Sequence, residues 1–128
     1  MRILAIIARV LLGLVFFVFG LNGFLHFMPN PPPTPAAGAF FGALFATHYM
    51  FFLIFGAQVL GGALLLIGVA VPFALVILAP VIVNILCFHI FLSPDLLALA
   101  LTVAAFEVFL AWYYRSAFAP LFGGASRP

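Results

Sequence analysis

The sequence predicts an all-α protein, a transmembrane four-helix bundle with a short interfacial helix before its second span. Three observations carry this reading. The 128 residues are 69% hydrophobic and 5% charged, with a mean hydropathy of +1.46. A water-soluble domain carries roughly a quarter of its residues charged. Four apolar runs are each long enough to cross a hydrocarbon core of about 30 Å. Proline-rich or capping segments divide them. The length suits one membrane domain, 1–128, with no room for a separate soluble module.

The first span, 3–27, is interrupted only by Arg9, Asn22 and His26. With Arg2 before it and Ala37-Gly38-Ala39 beyond, it has the outline of a secretory signal. Its apolar run is about twice the usual signal core, so it is read as a retained span. The loop 28–38 holds five prolines within seven residues, which breaks any helix and places the loop outside the membrane. Ala39 to Ala70 is an apolar run of 32 residues, too long for one upright span. It divides into an interfacial helix, Ala39 to Thr47, and a second span, 48–69. Phe40, Phe41, Leu44 and Phe45 recur at helical spacing and give the interfacial piece an apolar face.

Pro72 suits the first turn of the third span, 72–92, and Pro80 within it predicts a kink. Ser93-Pro94-Asp95 reads as cap, first-turn proline and first-turn acid of the fourth span, 95–116. Trp112, Tyr113 and Tyr114 form an aromatic belt before Arg115, and LFGGASRP reads as a mobile tail. Gly56, Ala57, Gly61 and Gly62 are small residues suited to close helix packing.

Four spans put both termini on one side. Arg2, Arg9, Arg115 and Arg127 all fall there, and the opposite loops carry no arginine or lysine. The positive-inside rule makes that side cytoplasmic and the location an inner membrane. Single arginines at helix ends offer no basic patch for nucleic acid. Arg9, a turn or two inside the run, must snorkel to that face or pair within the bundle. Cys87 stands alone, which leaves no intrachain disulfide and no CxxC pair. It reads as a small apolar packing residue.

Depth sorts the remaining polar residues. At 1.5 Å per residue, Gln58, Asn84 and Glu107 lie about 16, 18 and 12 Å from the cytoplasmic edge. His89 lies at about 25 Å, and Asn22, His26 and His48 lie at about 28 to 33 Å. Asn22 and His26, four apart, share a helical face. Glu107 stands out, because hydrocarbon offers a carboxylate nothing unless it is protonated, paired or turned to a polar cavity. With no arginine placed beside it, Glu107 is expected to keep its proton and to donate a hydrogen bond between helices. Gln58, Asn84 and Glu107 are expected to face one another. Three readings of that layer stand: interhelical glue, a polar pocket for a small molecule or quinone-like headgroup, and a proton relay through Glu107. The histidines read as interfacial groups, as ligand contacts or as metal ligands from separate spans. No nucleophile–base pair or phosphate-binding glycine loop is present, and the chain is not expected to be catalytic on its own.

The chain resembles the DoxX-like family of small four-helix membrane proteins. The likeness rests on FFVFGLNGFLHFMP, Phe16 to Pro29, on the block from Ile54 to Pro80 with Gly61, Gly62, Gly68 and Pro72, and on NILCFHIFL, where His89 matches a frequent histidine. Gln58 stands where the family usually has a glutamate, and a glutamine cannot titrate. The resemblance implies an accessory membrane protein that holds a lipid or quinone-like molecule and docks a membrane or redox partner. It implies, as an alternative, the membrane subunit of a quinone-linked oxidoreductase, and a small transporter is a third reading of the chain. Membrane lipids and a homo-oligomer are further partners to expect.

Overall fold

The computed structural model describes residues 1–28 and 33–123. The proline cluster at 29–32 and the arginine expected at 127 lie outside the described residues. Helix α1 is Arg2–Leu25, α2 is Pro35–Ala46, α3 is Met50–Ile67, α4 is Val71–Phe91, α5 is Leu97–Tyr113 and α6 is Arg115–Gly123. A 3-10 turn, Pro94–Leu96, leads into α5. Four helices are long and apolar enough to cross a membrane: α1, α3, α4 and the unit Pro94–Tyr113. α2 is the short interfacial helix before the second span.

Local chemistry sets most of the helix ends. Pro35 opens α2 with its φ already helical, and Thr34 caps it, accepting from the Ala37 N–H at 3.2 Å. The Thr34 hydroxyl also donates to the Leu92 carbonyl at 2.9 Å, which pins the start of α2 to the end of α4. Thr47 closes α2 and opens α3, donating to Leu44 O at 2.7 Å and accepting from Met50 N at 3.0 Å. The second span therefore begins at Met50, with His48 left in the turn at a φ of 66°. Gly68 ends α3 at a φ of 82°, where its N–H reaches Leu64 O at 2.8 Å.

α4 runs from Val71 to Phe91 with Pro80 inside it. One expected signal acts differently. Ser93 takes the extended cap conformation, but its side chain makes no cap hydrogen bond, and a 3-10 turn precedes α5. Of the expected tail, the first three residues belong to α6, which ends at Gly123, and 124–128 lie outside the described residues.

The packing forms a ring, α1 to α3 to α4 to α5 and back to α1, so α3 and α5 are diagonal. Its closest seam joins antiparallel α1 and α3. A Cβ added at Gly62 would stand 2.5 Å from the Phe17 backbone nitrogen, and one at Gly13 would stand 2.9 Å from the Gly62 carbonyl oxygen. Gly20 sits as tightly against Val59, and Gly61 admits Leu78 of α4. Small residues therefore let the backbones touch, as membrane helices require when hydrocarbon surrounds them. Gly56 differs, with nothing within 4 Å of the place a Cβ would take.

Leu12, Phe16, Leu65, Leu75, Leu78 and Leu110 fill the centre. Phe52, Leu53, Phe73, Val83 and Val108 point outward and are each more than half exposed. A surface this apolar suits lipid. α2 is held by phenylalanines: Phe41 lies 5.0 Å from Phe88 of α4 and 6.4 Å from Phe51 of α3, ring centre to ring centre. Phe51 stacks on Phe55, which meets Phe24 of α1 edge-on. The apolar face read from Phe40, Phe41, Leu44 and Phe45 thus docks on the bundle through its rings.

Candidate functional site

Glu107 lies on the inward stripe of α5, in line with Ala100, Val103, Leu110 and Tyr114 at three- and four-residue steps. Ala100, Val103 and Leu110 are buried. Glu107 is half-buried, and its Oε1 is buried with no hydrogen-bond partner among the described residues. The expected interhelical bond from this oxygen is therefore not formed. A buried carboxyl oxygen without a partner is costly.

The expected convergence of three polar residues does not occur. Gln58 is buried at 7% exposure, with its Cβ against Gly20 of α1. Asn84 is exposed on the outer surface of α4. Gln58 and Glu107 belong to diagonal helices. Depth places all three at one level, but direction around the axis of α4 takes Asn84 away from the other two.

The polar residues at the α2 end of the bundle lie in or beside the chain's turns. Asn22 is buried and accepts from the Met28 N–H through Oδ1 at 2.7 Å, holding the reversal after α1. His26 caps α1 at a φ of 53° and is exposed, so it leaves the face it was expected to share with Asn22. His48 is exposed as well. His89 Nδ1 lies 2.8 Å from the Ser93 carbonyl oxygen. A carbonyl only accepts, so Nδ1 carries the proton and donates. Among the described residues, no group of three or more His, Cys, Asp or Glu could hold a metal ion. Cys87 is exposed on α4 instead of packed.

Sequence reasoning left the destination of Arg9 open between two choices. Arg9 pairs within the bundle, its Nη1 donating to the Leu65 carbonyl at 2.8 Å. That carbonyl belongs to the last turn of α3, where carbonyls lack helical partners and a cation is favoured. Gly68 makes room for it, because a Cβ there would collide with the guanidinium. Beside it opens a cleft of about 300 Å³, lined by Arg2 and Arg9 of α1, Ile67 and Gly68 at the end of α3, and Tyr113 and Tyr114 at the end of α5. Arg115 lies outside this lining, 4.7 Å above the Trp112 ring, and donates to the Trp112 carbonyl at 2.9 Å. A shallow apolar groove of about 580 Å³ runs along the outer side of α5, past Ala104, Val108 and Trp112. Neither depression is lined by Gln58, Asn84 or Glu107.

No family model, curated protein or solved structure matches the chain. It is a small, multi-span, helical membrane protein.

Proposed function

We propose that this chain is an accessory protein of a bacterial inner membrane, DoxX-like in kind. It offers a polar group inside an apolar bundle to a quinone-like or lipid molecule and docks a membrane partner. The buried, unpartnered Oε1 of Glu107 carries the reading. A bundle that needed polar glue at this depth would bond both ends of the contact, and a bundle that needed none would place leucine there. A carboxyl kept at such a cost suits a hydrogen bond completed by a molecule that comes and goes.

Mild-detergent purification of the whole chain, with mass spectrometry of co-purifying quinones, lipids and proteins, tests this. One amphiphile or protein is expected at near-stoichiometric ratio with the wild type and is expected to be lost from Glu107→Gln. Recovery of the same set with Glu107→Gln would remove Glu107 from the function.

The proposed orientation has its own test. Arg2, Arg9 and Arg115 gather at the end of the bundle where α1 starts and α5 ends, and Asp95 lies in the turn at the other end. A membrane-impermeant thiol reagent applied outside the cell, on a Cys87→Ser background, should label Thr34→Cys and spare Arg127→Cys. The opposite pattern would invert the topology.

A further inference from the structure

We propose that the cleft between the start of α1, the end of α3 and the end of α5 binds the phosphate of an anionic phospholipid. Two guanidinium groups and two tyrosines line it, and no carboxylate does. Arg9 commits one N–H to Leu65, and a guanidinium carries five. The remaining donors have the fork geometry that suits phosphate oxygens. Arg2, at the first residue of α1, supplies a second charge at the mouth.

The C-termini of α3 and α5 carry partial negative charge, which on its own repels an anion. Two carbonyls of the last turns of α3 are already bonded. Leu64 O accepts from the N–H groups of Gly68 and Val69, and Leu65 O accepts from Arg9. The positive side chains therefore set the sign of the site. Its volume of about 300 Å³ is at the small end of the range for small-molecule pockets, room for a headgroup and no more.

Phosphate could arrive free or on a lipid. The surroundings favour the lipid. Ala5, Ile6 and Ile67 complete the lining, and Ile3, Ile7 and Ile67 are exposed beside it, so acyl chains would leave the cleft along apolar surface. The aromatic pair Tyr113 and Tyr114 marks the headgroup level of a bilayer. This inference rests on the chain spanning a membrane and is independent of Glu107.

The test is native mass spectrometry of the full chain in detergent with an equimolar mixture of phosphatidylglycerol and phosphatidylcholine. The wild type should retain phosphatidylglycerol in preference. Arg2→Gln and Arg9→Gln should each reduce that preference about fivefold, the effect of removing one basic side chain near an anionic lipid. Arg9→Gln also loses the bond to Leu65, so Arg9→Lys and the exposed Arg2→Gln keep the test independent of folding, which circular dichroism monitors. Arg115→Gln removes the same charge outside the cleft and should leave the preference within about twofold, as rim charges do. Glu107→Leu should leave it unchanged, which separates this site from the function proposed above. Equal retention of both lipids overturns the proposal, as does an equal loss in Arg115→Gln. Inorganic phosphate that binds at the same concentration while no phosphatidylglycerol is retained would assign the cleft to the free anion and overturn the lipid.

Discussion

Gly62→Leu is expected to unfold the α1–α3 seam. A Cβ at Gly62 has a backbone nitrogen 2.5 Å away and the Gly13 carbonyl oxygen 2.8 Å away, and neither can rotate aside as a side chain could. Relief requires the two helices to separate, which also opens Gly13 and Gly20 to new gaps. Overpacking of this kind costs about 1–3 kcal/mol where neighbours can yield, and at a backbone contact the upper end or beyond is expected. Gly56→Leu supplies the internal control on the same helix. Nothing lies within 4 Å of that position, so its effect should stay within about 0.5 kcal/mol, apart from a gain in helix propensity. Denaturation in detergent micelles, followed by circular dichroism, compares them. Equal stabilities for the two variants would show that the seam is not where the bundle is held.

Glu107→Leu is expected to act in the opposite direction and to stabilise the fold. In the wild type a carboxyl oxygen is buried without a partner, and leucine fills similar volume with no polar group to desolvate. Removal of an unsatisfied buried polar atom is worth about 1–3 kcal/mol. Glu107→Gln keeps the shape and a polar group and should fall between the two. The stabilised leucine variant should lose the molecule or partner that co-purifies with the wild type, the usual exchange between stability and function at a site. A loss of stability in Glu107→Leu would reveal a bonding partner for this carboxyl within the bundle.

The contrast between these two positions shows what the sequence could disclose. Spans were legible because about twenty apolar residues have few other uses. The start of α2 was misplaced at Ala39: Pro35, which reads as part of a helix-breaking loop, opens the helix from its first turn, where a proline is tolerated. Direction around a helix was not legible. In a soluble helix the polar face reveals the inward one, but α4 is apolar all round and gives Asn84 no azimuth. Asn84 therefore shared a depth with Gln58 and Glu107 without sharing their inward direction. Arg9 shows the same limit. Its need for a partner was evident from its place in the span, but Leu65, 56 residues away, could be named only once the antiparallel register was known. The cleft escaped notice because its parts come from three helix ends. The one signal available was that Arg2, Arg9 and the Tyr113–Tyr114 pair belong to the same side of the membrane.

The bond from Arg9 to Leu65 also imposes an order on biogenesis. At about 5–20 residues per second, the ribosome makes the acceptor about 3 to 11 s after the donor. During that interval the first helix carries a guanidinium with no carbonyl to receive it, and its long side chain reaches for the headgroups instead. The helix must then wait near the headgroups, held shallow by its own arginine, until α3 arrives from the other side. The α1–α3 contact that Arg9 completes is thus the last part of that antiparallel pair to form, with α2 between the two helices.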